Sequence, residues 1–506
     1  MKKILGLTIA LMLLFAAAVP ALAQGDGKVT IWMGGTGSEV TDWKNNAILN
    51  AIEEAVGVEI ELVWIPDGMA DMLTAGAISG NLPDIIGCVD HEDRARLQLW
   101  VDGGIVAAVA GEVAQVAPNW TNLYEANEGL NELRINGEIY MVPVSWGTGC
   151  APNMGLVHVR GDLMEKYGFE TIDTYEQYVQ YLRAAVADGY IGISYNGANG
   201  INKLLNVFLG GQGLPMTGWI RGEDGNFSYW MMQKGVATAV EQIRQLQNEG
   251  LLDPGIWSCD SDTARTNYVS GKAASWIGNG GGHIGRIQND MALIDENFVE
   301  ILLPALDFGG SRGYTQEDMF WGASLLGNTE SCDPVLAAKI INYLLSDEGY
   351  QLTAIGIEGR DFEYDSNGDI VLLDARYQDG FPTEAGSTGA HKLASGLVSW
   401  VPQEWQDFSL LYGTDDAFQA WYYEQRTNQQ MYQIPNYGRN LTSAQWNDFN
   451  AVGNELFTRF AVEALAADSG DAVLELWLRF ADDWNAAGGE GATVEMNELL
   501  KSVYSD

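Results

Sequence analysis

Residues 58–86 read VEIELVWIPDGMADMLTAGAISGNLPDII, and the spacing of their apolar positions changes partway along. Val58, Ile60, Leu62 and Trp64 recur at every second residue, which places them on one face of a half-buried strand. A helix is expected over 69–78, a turn at Gly80-Asn81-Leu82-Pro83, and a short apolar strand at Asp84-Ile85-Ile86. Upstream, a strand over 29–33 runs into Gly34-Gly35-Thr36-Gly37, and a helical stretch separates it from residue 58. Strand and helix in alternation indicate an α/β layer around a mostly parallel sheet.

The same alternation returns later in the chain. Thr174 and Gln177 are spaced as a capping box, and the helix behind them lines up Val179, Leu182 and Val186. Gly189 stops that helix, and residues 190–194 read as the next strand, ending at Tyr195-Asn196. Asp333-Pro334 is an N-cap followed by proline at the first helical position. The last hundred residues are helical and rich in aromatics, among them Trp446, Trp477 and Trp484, most of which are expected in cores.

The N-terminus points to export. Lys2 and Lys3 precede an uncharged apolar run over 4–19, then Pro20 and the small-x-small site Ala21-Leu22-Ala23. That is a signal peptide over 1–23, cleaved after Ala23, and it is too short for a stable span. The expected location is therefore extracytoplasmic: periplasmic, cell-surface or secreted. The formal net charge of −41 repels phosphate backbones and anionic lipid headgroups, so nucleic acid is excluded as a partner. A hydrophobic fraction of 47% is ample for two or three cores in 506 residues.

Cys88, Cys150, Cys259 and Cys332 show no CxxC pairing, which argues against a zinc site. None follows the signal segment closely enough to be a lipobox cysteine. An exported chain with four cysteines admits two disulfides, or four buried thiols.

Several segments together resemble extracellular solute-binding protein family 1, the sugar-binding proteins of ABC importers, in its long lipoprotein-like branch. They are Leu82-Pro83-Asp84-Ile85-Ile86, residues 135–143 (INGEIYMVP), residues 157–167 followed by 173–178, and Gly271-Lys272-Ala273-Ala274. Ser346-Asp347-Glu348-Gly349, Gly356-Ile357-Glu358-Gly359, residues 484–489 and residues 493–498 complete the series, in order along nearly the whole chain. The missing lipobox departs from that branch. The resemblance implies an α/β, two-lobed periplasmic-binding-protein fold of type II, with the ligand in the cleft between the lobes. It maps lobe one to 24–143 and 322–380, and lobe two to 144–321 and 381–506. On that map Cys88 shares a lobe with Cys332, and Cys150 with Cys259. The function implied is capture of a neutral carbohydrate, an oligosaccharide by preference, for delivery to the permease subunits of an ABC importer by a monomer that is not an enzyme.

A sugar site combines an aromatic platform with a few polar partners, and ligands of open α/β sheets sit at the carboxyl ends of strands. The candidates are therefore Gly35 and Thr36, Asp67, Asp90 and His91 in lobe one, and Trp146 and Trp321 at the crossovers. In lobe two they are Tyr195 and Asn196, with Trp276 and Asn279 from the loop that follows the GKAA step. No cofactor and no metal are called for. Asp365-Ser366-Asn367-Gly368-Asp369 alternates oxygen side chains as a calcium loop does, but it lacks the glutamate at the twelfth place and reads as a hairpin turn. HExxH is absent, which leaves a glycoside hydrolase or a secreted glycan-binding adhesin as the alternatives.

Overall fold

The computed structural model describes residues 27–33, 46–65, 69–90, 94–145, 155–280, 283–316, 320–373, 408 and 411–504. Two sheets organise these residues, each with a hydrophobic core of its own. The first is opened by β1 (Lys28–Met33), β2 (Glu59–Trp64), β3 (Ile85–Val89) and β4 (Met141–Ser145). The second contains β5 (Leu156–Arg160), β6 (Ile191–Ser194), β7 (Ala273–Gly278) and β8 (Glu300–Leu302), after which the chain returns to the first sheet as β9 (Phe320–Leu326). The strand orders are β2-β1-β3-β9-β4 and β8-β5-β7-β6. The fold is thus the two-lobed α/β arrangement implied by the resemblance, but the sheets are mixed and not mostly parallel: β1–β2, β1–β3 and β6–β7 pair in parallel, and β3–β9, β9–β4, β8–β5 and β5–β7 pair antiparallel.

Register follows the period-two pattern. Val29 lies opposite Ile60 and Ile31 opposite Leu62 in the parallel β1–β2 pair, so apolar side chains meet on the covered face. The helix Ala47–Val56 between them is capped at Asn46, whose side chain accepts from the amides of Ile48 and Leu49, and it ends on Gly57 at φ 69°. Its Glu53 accepts the amide of Ile60 at 2.7 Å and so ties the helix to the start of β2.

Asp84 stands just before β3. Its buried carboxylate accepts Thr30 N at 2.7 Å from β1 and Asp333 N at 2.6 Å. One acidic side chain thus joins the first strand to the N-cap of the helix Pro334–Leu344, and charge-assisted bonds of this kind are the strong ones. Two of the chain crossings lie side by side: β4 and β9 are antiparallel neighbours, with Pro143 opposite Ala323. A proline fits there because β4 is an edge strand.

In the second lobe the capping box at Thr174 and Gln177 is complete, and the helix Tyr175–Ala187 buries Val179 and Leu182. Tyr178 and Tyr181 of that helix reach across to β7, bonding Ser275 Oγ at 2.6 Å and Ala274 O at 2.9 Å. The helices Ala444–Leu465, Gly470–Ala486 and Gly489–Val503 join the same core, where Trp484 packs edge-on to Phe449 at 4.5 Å. Trp446, Trp477 and Trp484 are all buried there. No helix among the described residues is long and apolar enough to cross a membrane.

Cys259 and Cys332 are free thiols, so the within-lobe disulfides Cys88–Cys332 and Cys150–Cys259 are not formed. Cys332 instead lies against the carbonyls of Leu82 and Pro83 at 3.3 and 3.5 Å. The strands Phe362–Tyr364 and Ile370–Leu372 form a hairpin around residues 365–369. Asp365 Oδ1 accepts the amides of Asn367 and Asp369 at 2.8 and 2.9 Å, and these backbone donors, Asp369 first, hold its carboxyl below the usual range. The residue types of a calcium loop serve here to close a turn. Among the described residues no group of three metal-ligating side chains is clustered.

Candidate functional site

A cavity of 430 Å³ opens in the second lobe, beyond the carboxyl end of β6. That is the position at which a strand-end site is expected in an open α/β sheet. β6 runs out into Tyr195 and Asn196, and a short turn, Gly197–Asn199, leads into the helix Asn202–Gly210. Asn196, Asn199, Asn202 and Lys203 line this side of the cavity.

The opposite side is aromatic. The antiparallel strands Trp219–Arg221 and Phe227–Tyr229 contribute Trp219 and Tyr229, followed by Trp230 and Met231. Trp446 comes from the helix Ala444–Leu465. The ring centres of Trp219 and Trp446 are 4.9 Å apart, and those of Tyr229 and Trp446 are 4.7 Å apart. Contacts of this type fix ring orientation as well as burying area. Asn450 and Asn454 follow Trp446 at intervals of four and present amides on the same helix face. The turn at Gly438 and Arg439 closes the rim. Carbonyl and amino groups of neutral amides, both donors and acceptors, therefore face an aromatic wall.

Behind the polar side lies a buried relay. Lys203 Nζ donates to Asn279 Oδ1 at 2.9 Å, and the Asn279 carbonyl is 3.0 Å from His158 Nε2. His158 Nδ1 in turn is 2.7 Å from Glu300 Oε1 on β8. Both partners of this last pair are fully buried. Burial lowers the His158 pKa to about 3 and pushes the Glu300 carboxyl well above its usual range. In the neutral pair the imidazole donates through Nε2 to the Asn279 carbonyl and accepts a hydrogen bond from the Glu300 hydroxyl at Nδ1. The relay holds Asn279, and through it Lys203, at the cavity edge.

The strand-end candidates divide accordingly. Tyr195 and Asn196 line the cavity. The Tyr195 hydroxyl donates to Gly200 O at 2.8 Å and is pushed up to about 12 by burial, so this residue forms wall and not a reactive group. Asn279 reaches the cavity through Lys203. Trp276 is not among the residues lining the cavity: it is tilted against His158 at 4.7 Å and stacked near Tyr268 at 6.2 Å. Asp90 follows β3 in the first lobe, with an exposed side chain. Trp321 lies on β9, and its side chain is outside the described residues. Gly35, Thr36, Asp67, His91 and Trp146 also lie outside the described residues.

Strand-end reasoning passed over Asn199, Asn202, Lys203, Trp219 and the Trp446–Asn450–Asn454 row. Two signals were available. Asn196, Asn199 and Asn202 recur every third residue, as in a tight helical turn, and Trp446, Asn450 and Asn454 share one helical face.

A sequence model of the family described as bacterial extracellular solute-binding protein matches residues 34–351. Among curated proteins, the chain is 25% identical over 235 residues to the fructooligosaccharide ABC transporter substrate-binding protein FusA of Streptococcus pneumoniae, covering 42% of each chain. It is 23% identical over 339 residues to lipoprotein LipO of Bacillus subtilis, covering 62% of this chain and 64% of that one. The matches thus span less than two thirds of either relative. Among solved structures, the alginate-binding protein AlgQ2 without calcium ion superposes with a TM-score of 0.72 at 13% identity, over 96% of this chain and 100% of the other. At that identity the likeness is one of fold.

Proposed function

The chain belongs to the bacterial extracellular solute-binding proteins, and from that premise we propose that it captures a neutral oligosaccharide and delivers it to the permease subunits of an ABC importer. The observation that carries this reading is the cavity beyond β6, with Trp219, Tyr229 and Trp446 facing a row of asparagine amides. Flat apolar sugar faces pack on aromatic rings, and ring hydroxyls pair with amides, which both donate and accept. Lys203 and Arg439 add donors for hydroxyl and ring oxygens at the rim. Asp67, Asp90 and His91, with Gly35 and Thr36, would meet the ligand from lobe one, and Trp146 and Trp321 from the crossovers. Lobe one comprises 24–143 and 322–380, and lobe two 144–321 and 381–506. Binding from both sides favours a closed form, the state a permease distinguishes from the empty one.

In this reading the protein is exported with cleavage after Ala23, acts as a monomer and catalyses no reaction; its net charge of −41 keeps it away from nucleic acid. The FusA relative, named for fructooligosaccharide, supports a short oligosaccharide over a monosaccharide. A thermal-shift screen of fructo-, malto- and galacto-oligosaccharides, followed by calorimetry on the hits, tests it, since a ligand of the native state raises the melting temperature. No shift with any neutral oligosaccharide would refute the substrate class. Release of reducing sugar from a hit would turn the reading toward a glycoside hydrolase.

A further inference from the structure

The rim of the cavity is gripped by a residue of the other lobe. Glu132 belongs to the short helix Glu128–Leu133, whose Leu130 and Leu133 are buried in the core of the first lobe. Its carboxylate accepts Gly438 N at 3.2 Å through Oε1, and Asn440 N and Nδ2 at 3.2 and 3.4 Å through Oε2. Residues 438–440 belong to the second lobe. Tyr437, just before them, exchanges two backbone hydrogen bonds with Trp219, at 2.9 and 3.0 Å. Gly438 and Arg439 line the cavity.

The local conformation suits an anion. Gly438 sits at φ 61°, in the left-handed region, and a Cβ there would fall 2.3 Å from Leu500 Cδ2, so the position requires glycine. A left-handed residue in a turn swings successive backbone amides to one side, and such amides together receive a carboxylate. Here the amides of residues 438 and 440 both point at Glu132. Gly438 N is shared with the Tyr504 hydroxyl at 3.2 Å, which anchors the turn to the last helix.

We infer that Glu132 is a positioning residue of the binding site: from lobe one it clasps the 438–440 turn of lobe two, sets the cavity rim that carries Arg439, and couples the shape of that rim to closure of the lobes. Opening the lobes withdraws the carboxylate and releases the rim amides. A ligand held against the rim from inside favours the clasped form, so occupancy and closure bias the same contact. The functional consequence rests on the cavity being the ligand site, whereas the clasp itself does not.

The test uses the full chain without ligand, so a failure of the carbohydrate reading leaves it interpretable. Glu132→Ala, Glu132→Gln and a control, Glu138→Ala at an exposed position nearby, are compared by hydrogen exchange and small-angle scattering. Glu132 is itself only partly buried, so both of its variants are expected to fold, which their circular dichroism checks. Glu132→Ala is expected to speed exchange of the amides at 438 and 440 about tenfold and to raise the radius of gyration. Glu132→Gln, which keeps one acceptor oxygen, falls between, and Glu138→Ala matches the parent. Unchanged exchange in Glu132→Ala would overturn the clasp, and faster exchange with unchanged scattering would overturn its coupling to closure.

Discussion

Replacing Glu300 by glutamine removes one titrating group from the buried pair beneath the cavity and leaves an amide that still donates to His158 Nδ1. Glu300 and His158 are fully buried, with the carboxyl pushed well above its ordinary 4.5 and the imidazole lowered from 6.5 to about 3, both by desolvation. Folded, the pair keeps two protons, one on Nε2 and one between Nδ1 and Oε1. Unfolded, it also holds two between about pH 4.5 and 6.5, as imidazolium and carboxylate, so there the pair adds no pH dependence. Above 6.5 the unfolded imidazole loses its proton while the folded carboxyl keeps its own, and stability falls as pH rises. Below 4.5 the unfolded carboxylate gains one, and stability falls as pH falls. In Glu300→Gln only the histidine contributes: stability is full above 6.5 and is lost as pH drops toward 3. The parent's advantage over the variant therefore shrinks by about 1.4 kcal/mol per pH unit above 4.5, or about 2.7 kcal/mol between pH 5.5 and 7.5. Urea unfolding of both proteins at those two pH values, followed by tryptophan fluorescence, measures it. A stability difference that stays the same at both would refute the retained proton.

Other outcomes follow from single contacts. Asp84→Ala leaves the amides of Thr30 and Asp333 buried without their acceptor, and is expected to destabilise the protein by about 2–4 kcal/mol in urea titrations. Gly210→Ala would set a Cβ 1.8 Å from the Gly313 carbonyl oxygen, a clash with backbone that forces the helix Asn202–Gly210 off its seat; a loss of about 1–3 kcal/mol is expected by the same assay. Asn199→Ala and Asn202→Ala, at exposed positions on the cavity, should each weaken binding of the sugar found by screening by about 1 kcal/mol in calorimetry, with the melting temperature of the free protein unchanged. Trp146→Ala and Trp321→Ala should cost about 1–3 kcal/mol of the same affinity through lost stacking area, and unaltered affinity in both would place the ligand away from the crossovers.

What could be read from the chain alone was whatever depends on neighbours in sequence. The capping box at Thr174 and Gln177 and the N-cap at Asp333 involve atoms three residues apart, and the strand over 59–64 is announced by side chains that alternate by backbone geometry. Asp365 and Asn367 closed a hairpin as their order implied. The site is different in kind. Its aromatic wall joins Trp219 to Trp446, and its rim joins Tyr437 to Trp219 by backbone pairing across more than two hundred residues. Glu300 meets His158 across 142 residues, and Glu132 meets Gly438 across 306. Trp276, read as a ligand contact because it nears a strand end, packs against His158 and Tyr268, since period two gives its face but not which neighbours cover it. Local composition and periodicity thus determined the strands, helices, caps and α/β class, because those follow from short-range sterics and hydrogen bonding. Which asparagines and tryptophans share a cavity, and which carboxylate is buried against which histidine, was decided only when distant strands paired and two cores closed, since those contacts depend on packing that no short window of sequence contains.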